Sequence, residues 1–291
     1  MKIAITGASG LLGSELLALT KKIGISAVAL ERSNIKLGCG LDNAVEQIKQ
    51  VNCDVLIHCA ANTNVDFCEI HPETCYKDNV LFTELLANVC RKLEICLVFI
   101  SSTGVYGSHK TEPYFEYDNV LPTTHHHRSK WLAEKALAQL HQNSLIIRTG
   151  WLFGGGYQLP KNFVANRIKE AIASDGTIKS DPMQIGNPTY SGDVAKTIIA
   201  LLEGGWRGTF NCVNKGRASR FEYVSEVIRL SGINILVEPI AGAAFNRKAK
   251  VSHNESAINF KLSQFGLDAM PSWKDSLASY ISTIRSEYER T

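Results

Sequence analysis

Lys2-Ile3-Ala4-Ile5-Thr6-Gly7-Ala8-Ser9-Gly10-Leu11-Leu12-Gly13 opens the chain. A short apolar run, residues 2–6, passes into glycines at positions 7, 10 and 13, and residues 11–21 continue with helical periodicity. Strand, glycine turn and helix in that order let backbone approach a pyrophosphate closely. The unpaired N–H groups of the helix N-terminus then face its charge. The turn predicts a dinucleotide site built from Gly7, Ser9, Gly10, Leu11, Leu12 and Gly13. Its Gly-x-x-Gly-x-x-Gly spacing is one residue longer than the common dehydrogenase fingerprint, so position carries the reading more than spacing does.

Outward from that turn, apolar runs alternate with amphipathic stretches: 27–30 then 44–50, 55–58 then 79–91, 95–101 then 129–140, and 144–148. The alternation predicts an α/β fold of Rossmann type, a doubly wound parallel sheet covered on both faces. After Arg148 the rhythm breaks. Gly154-Gly155-Gly156 and Pro160 predict a loop, 162–174 a helix, and 180–189 another Gly/Pro loop. Residues 209–213 read as one more sheet strand, 220–231 and 273–287 as helices. The expected division is a dinucleotide-binding domain over 1–150 and a smaller, interleaved substrate-binding lobe over 151–291, with 190–214 returning to the core sheet.

Composition narrows the function. With Lys+Arg at 31 against Asp+Glu at 28, the net charge of +3 gives no electrostatic footprint for nucleic acid. A 45% hydrophobic content supplies a core, and no apolar run approaches the roughly 18 residues that span a bilayer. No secretory signal precedes the first strand, which predicts a cytoplasmic protein. Cys39, Cys53, Cys59, Cys68, Cys75, Cys90, Cys96 and Cys212 form no C-x-x-C pair and several lie in apolar runs. They read as reduced, buried thiols, neither disulfides nor metal ligands.

The second strand ends at Leu30-Glu31-Arg32-Ser33. An acid there binds both hydroxyls of an adenosine ribose and repels a 2′-phosphate, whereas Arg32 and Ser33 would hold that phosphate. Glu31 favours NAD and Arg32 favours NADP, so both cofactors stay open.

A further pattern begins at Ile100-Ser101-Ser102-Thr103-Gly104-Val105-Tyr106-Gly107 and ends at His126-His127-Arg128-Ser129-Lys130. It resembles the extended short-chain dehydrogenase/reductases, in which a Ser or Thr at the sheet edge binds the substrate carbonyl and a Tyr four residues before a Lys moves the proton. Ser102 and Lys130 match, and His126 stands in the Tyr position. The resemblance extends to the dTDP-4-dehydrorhamnose reductase-like branch through Ala60-Ala61-Asn62-Thr63-Asn64-Val65-Asp66-Phe67-Cys68-Glu69, Asn79-Val80, Arg148-Thr149-Gly150-Trp151, Asn162-Phe163-Val164, Gln184-Ile185-Gly186-Asn187-Pro188-Thr189 and Ser219-Arg220-Phe221-Glu222. It implies NAD(P)H-dependent reduction of a 4-keto nucleotide sugar, with Ala60, Ala61 and Thr63 lining the cofactor and Lys130 holding the nicotinamide ribose. Ser102, Thr103, Trp151 and Asn162 would then face the sugar nucleotide, and Ser102, His126 and Lys130 would be catalytic. A homodimer is compatible with the resemblance.

Read as residues alone, these positions are more modest. Trp151 suits a core as well as a substrate wall, Asn79 a local cap, and Asp66 and Glu69 a solvated helix start. His125 and His127 read as loop polars, and adjacent histidines do not converge on one metal ion. Lys130 opposes a second positive charge on His126, and neutral imidazole is a poor acid, so the proton comes from His126 or from water. Two alternatives to a reductase stay open: an epimerase on the same fold, and a cofactor-binding protein that has lost catalysis and serves as regulator or scaffold.

Overall fold

A computed structural model describes residues 1–31, 35, 37–242, 245 and 247–289. The first half runs β1 (Lys2–Thr6), α1 (Leu11–Lys22), β2 (Ser26–Leu30), α2 (Leu41–Val51), β3 (Val55–His58), α3 (Val65–Ile70), α4 (Pro72–Tyr76), α5 (Phe82–Leu93), β4 (Cys96–Ser102), α6 (His125–Leu140) and β5 (Ser144–Thr149). A π turn at Lys77–Leu81 joins α4 to α5, and a 3₁₀ turn at Thr103–Tyr106 follows β4. The second half adds β6 (Trp151–Phe153), α7 (Phe163–Ala173), β7 (Thr177–Ser180), β8 (Ile185–Gly186), β9 (Pro188–Tyr190), α8 (Ser191–Glu203), β10 (Gly208–Cys212), β11 (Ala218–Ser219), α9 (Arg220–Ser231), β12 (Leu236–Pro239), α10 (Phe260–Gln264) and α11 (Trp273–Tyr288).

Six strands form one parallel sheet in the order β10-β5-β4-β3-β1-β2. On one face Ile3, Ile5, Ile57, Val98 and Ile147 pack against Leu12 and Leu16 of α1 and Val194, Ile198 and Leu202 of α8. On the other, Ala4, Leu56, Leu97, Phe99 and Ile146 meet Ala44 and Ile48 of α2, Leu86 and Val89 of α5, and Ala133 and Leu137 of α6. Burial on both faces explains why these strands read as unbroken apolar runs rather than as alternation. The chain leaves β1 for β2 on one side and returns to β3 on the other. A crevice therefore opens at the carboxyl ends of β1 and β3, where ligands of such sheets bind.

Trp151, Phe153, Tyr157, Ile168, Tyr223, Trp273 and Tyr280 build a separate aromatic core from β6, α7, α9 and α11. The segment 180–189, expected as a loop, also carries β8 and β9, which pair with β11 and β6. Strands of two and three residues are too short for periodicity to reveal. All eight cysteines are free thiols, with only Cys39 and Cys59 less than fully buried. No helix among the described residues is long and apolar enough to cross a membrane.

Candidate active site

The three glycines of the first turn differ in what constrains them. A Cβ on Gly7, whose φ is +65°, would lie 2.7 Å from the backbone nitrogen of Ala60, and one on Gly13 would strike Gly7 O and sit 2.7 Å from Ala8 Cα. Those two positions let β1, α1 and the segment after β3 close on one another. Gly10 is exposed, and a Cβ there would meet only Gly7 O, at 3.2 Å. It is the N-cap of α1, offers no side-chain acceptor to the first turn, and is followed by a first turn without acidic residues. The N–H groups there keep their positive end toward solvent, which suits a phosphate.

Beside the turn lies a cavity of about 530 Å³ lined by Thr6, Gly7, Ala8, Ser9, Ala29, Leu30, Glu31, Ala60 and Phe82, among others. Gly7, Ser9, Glu31 and Ala60 of the expected cofactor set are thus brought together, and Ala61 lines an adjoining cavity with Lys77 and Asp78. Leu11, Leu12 and Gly13 start the helix, with Leu12 and Gly13 buried. Arg32 lies outside the described residues. A glycine cradle, an uncapped helix N-terminus and an acid at the end of β2 fit a dinucleotide.

Across the crevice stands the Ser102, His126 and Lys130 group. Ser102 Oγ accepts from Gly104 N at 3.1 Å, leaving its hydroxyl hydrogen to point elsewhere, and Thr103 behind it is buried. Lys130 is buried, donates from Nζ to Ile100 O at 2.9 Å and lies over the Phe99 ring at 4.7 Å. Burial pulls its pKa down to about 8. His126 is buried with Nδ1 at 3.0 Å from Asn62 O. A carbonyl only accepts, so Nδ1 carries the proton and Nε2 of the neutral ring is bare. Burial, with the neighbouring His127 and Lys130, holds the His126 pKa well below the ordinary imidazole range.

Asn79 organises the peptide that holds this ring. Its Oδ1 accepts from Asn62 N at 2.8 Å, and its Nδ2 donates to Asn62 O at 3.1 Å and Ser129 Oγ at 2.9 Å. Expected as a local cap, it is instead a buried tie between distant segments, presented from a π turn, a distortion frequent at functional sites. The histidine loop also needs correction. Residues 125–127 form the first turn of α6, with Thr124 Oγ1 accepting from His127 N at 3.2 Å and Glu69 Oε2 from His125 N at 3.1 Å. His125 meets Tyr76, while buried His127 packs on Gly104 and lies 3.9 Å from Glu255 Oε1. The three rings thus have separate hydrogen-bond partners, although the His126 and His127 rings lie 5.1 Å apart between centroids.

A second cavity, about 630 Å³, is lined by Phe163, Arg167, Lys179, Asp181, Gln184, Arg220, Phe245, Arg247, Lys250 and His253, among others. The Arg220 guanidinium lies 3.4 Å from the centroid of the Trp151 ring, and its Nε is buried without a partner. Among the described residues no hydrogen bond or ion pair engages its side chain. Trp151 Nε1 donates to Glu255 Oε2 at 2.8 Å, which links this cavity through Glu255 to His127. Asp66 Oδ1 accepts from Lys248 N and Ala249 N, both at 2.9 Å, pinning the cavity wall to α3. Asp66 and Glu69 are therefore anchors rather than a merely solvated helix start. Asn162 is fully buried: its Oδ1 caps Ala165 N and its Nδ2 donates to Gly156 O at 3.1 Å. Thr63 is exposed and accepts from Lys161 Nζ at 2.7 Å. Sequence reasoning missed Lys161 and Glu255, since no local motif marks them; Arg220 stood in the quoted Ser219-Arg220-Phe221-Glu222 string, but nothing local reveals that its side chain lacks a hydrogen-bond partner among the described residues.

Comparison with known proteins agrees with this layout. The family profile described as RmlD substrate binding domain matches residues 1–286. A dTDP-4-dehydrorhamnose reductase of Mycobacterium tuberculosis is 30% identical over 287 residues, 97% of this chain and 92% of that protein. The crystal structure of a dTDP-4-dehydrorhamnose reductase from Clostridium acetobutylicum superposes with a TM-score of 0.92 at 30% identity, covering 98% of this chain and all of that one. That of the Bacillus anthracis reductase in complex with NADP gives 0.91 at 26% identity, over 97% and 100% of the two chains. The chain is an NAD(P)-dependent reductase and belongs to the RmlD substrate binding domain family.

Proposed function

We propose that this enzyme reduces the 4-keto group of a 4-keto-6-deoxy nucleotide sugar, dTDP-4-dehydrorhamnose or a near relative of it, using NADH or NADPH. The observation that carries the substrate class is the unpaired Arg220 guanidinium stacked on Trp151, in a cavity that gathers Arg167, Lys179, Arg247 and Lys250 around the single carboxylate Asp181 among the described lining residues. A guanidinium that makes no hydrogen bond among the described residues, in a cavity whose cations outnumber its one described carboxylate, suits a diphosphate, and Phe163 and Phe245 in the same wall suit a flat base.

In this reading Gly7, Ser9, Gly10, Leu11, Leu12, Gly13, Glu31, Ala60, Ala61 and Thr63 hold the dinucleotide, whose reduced nicotinamide supplies hydride when bound. Lys130, fixed on Ile100 O, holds the nicotinamide ribose. Ser102 donates its hydroxyl hydrogen to the carbonyl oxygen and polarises it. His126 receives a hydrogen bond at Nε2 from a sugar hydroxyl. Trp151 closes the sugar side through Arg220, while Thr103 and Asn162, both buried, support the wall from behind. Residues 1–150 would serve the cofactor and 151–291 mainly the substrate, with 190–214 returning to the first unit.

The test is oxidation of NADH or NADPH, followed by absorbance, on addition of dTDP-4-keto-6-deoxy sugar. Turnover is expected, and Arg220→Met should raise KM about tenfold to a hundredfold through loss of charge-assisted hydrogen bonds of about 1.5–3 kcal/mol. Turnover of keto sugars that carry no nucleotide, with Arg220→Met unchanged, would contradict the substrate class.

A further inference from the structure

The Arg220 guanidinium is aimed by groups that stand behind the cavity it lines. It rests on the Trp151 ring, 3.4 Å from the ring centroid, with its buried Nε unpartnered. The indole is fixed in turn. A Cβ on Gly186 of β8 would strike Cε2 and Cζ2 of the ring, so the glycine leaves the indole its room. Glu255, buried, accepts from Trp151 Nε1 through Oε2 at 2.8 Å, and its backbone N–H donates to Ile185 O at 2.8 Å, one residue before that glycine. Its other oxygen faces His127 Nδ1 at 3.9 Å.

An indole N–H lies in the ring plane, so Glu255 stands at the edge of the ring while Arg220 lies over its face. The ring keeps the two charges from bonding to each other. A carboxylate bound directly to the guanidinium would have to be displaced by a diphosphate, whereas one bound to the indole leaves the guanidinium open to a ligand. An anion on the N–H also pushes electron density toward the ring face, which strengthens its attraction for the cation there. Resting on the nucleotide-sugar reading above, we infer that Glu255 is a positioning residue for the diphosphate: by holding Trp151 at its N–H, it fixes the face from which Arg220 is presented to the cavity.

The experiment measures calorimetric Kd values for dTDP, and for NADPH as a control, in the parent, Glu255→Met, Glu255→Gln and Arg220→Met. Glu255→Met fills similar space without an acceptor and should weaken dTDP about fivefold to thirtyfold, the range a desolvated cation–π contact carries. Glu255→Gln keeps an acceptor for the indole and should stay within about threefold of the parent. Added to Arg220→Met, the Glu255→Met change should alter the dTDP Kd by less than about twofold, because Glu255 acts through Arg220. NADPH should bind each variant within about threefold of the parent. Should Glu255→Met fail to fold, Trp151→Phe removes the same bond from the donor side and should weaken dTDP over the same range. Parental dTDP affinity in Glu255→Met or Trp151→Phe, equal losses in Glu255→Met and Glu255→Gln, or a full further loss on top of Arg220→Met would each overturn the assignment. A parent that does not bind dTDP, or binds it no better than Arg220→Met does, overturns the reading of the cavity and the assignment together; a parent whose affinity depends on Arg220 but not on Glu255 overturns the assignment alone.

Discussion

Gly10 is the residue at which ligand approach and folding separate. Gly7 and Gly13 are packed against backbone, so Gly7→Val and Gly13→Val should fail to fold stably, whereas Gly10→Val should melt within a few degrees of the parent and lose NADH and NADPH binding by calorimetry. Parental affinity in Gly10→Val would remove the turn from the cofactor site. Glu31→Ala should shift the affinity ratio toward NADPH by relieving repulsion of a 2′-phosphate; an unchanged ratio would take Glu31 out of the ribose site. His126 shows what sequence could and could not reveal. The four-residue step to Lys130 was legible, but its tautomer depends on Asn62 O, a partner 64 residues away, and on Asn79 behind it. The pKa depression at His126 keeps the ring neutral, so activity between pH 6 and 8 should show no rise on acidification that His126→Ala abolishes. His126→Tyr, which restores a phenol four residues from Lys130, should raise kcat.

Helix α6 carries His126, Lys130 and Glu134 at successive i+4 positions, so one face joins the reacting group to an anchor. The anchor is a buried pair: Glu134 Oε2 accepts from Arg148 Nη2 at 2.6 Å and Oε1 from Nε at 3.0 Å, and Arg148 Nη1 donates to Tyr106 OH at 3.0 Å. Removing one partner leaves a buried charge uncompensated, so Glu134→Ala should cost about 3–5 kcal/mol, read as a lower denaturant midpoint. A loss under about 1 kcal/mol would mean the pair is not buried in solution. The sequence marked this helix only from residue 129, because apolar periodicity begins after the three histidines; the first turn is held by Thr124 and Glu69, one local and one distant. The π turn that presents Asn79 left no signal, since its residues read as ordinary helix.

Across the whole molecule, buried imidazoles set the response to acid. Burial pushes His58 down to about 3 and lowers His126 and His127. The unfolded chain protonates these groups near pH 6.5 while the folded chain resists it, so stability falls as pH drops below about 6.5, for His58 down to about 3 and by up to about 1.4 kcal/mol per unit, with His126 and His127 adding losses of the same sign. Tm should therefore decline steadily below pH 6.5, less so in His58→Asn; a flat Tm down to pH 4.5 would contradict the burial. The parallel sheet was readable because its strands are long, apolar and local. The second lobe was less so: its aromatic core and its cation-lined cavity draw Arg167 from α7, Lys179 from β7 and Arg220 from α9, a convergence that exists only after folding. What this whole arrangement does is tested most directly by mixing the chain with NADPH and dTDP-4-keto-6-deoxy sugar and following both reactants. Loss of reduced nicotinamide in step with formation of a 4-hydroxy sugar nucleotide is the predicted result. Binding of both ligands with no hydride transfer, in the parent and in His126→Tyr alike, is the result that would contradict it.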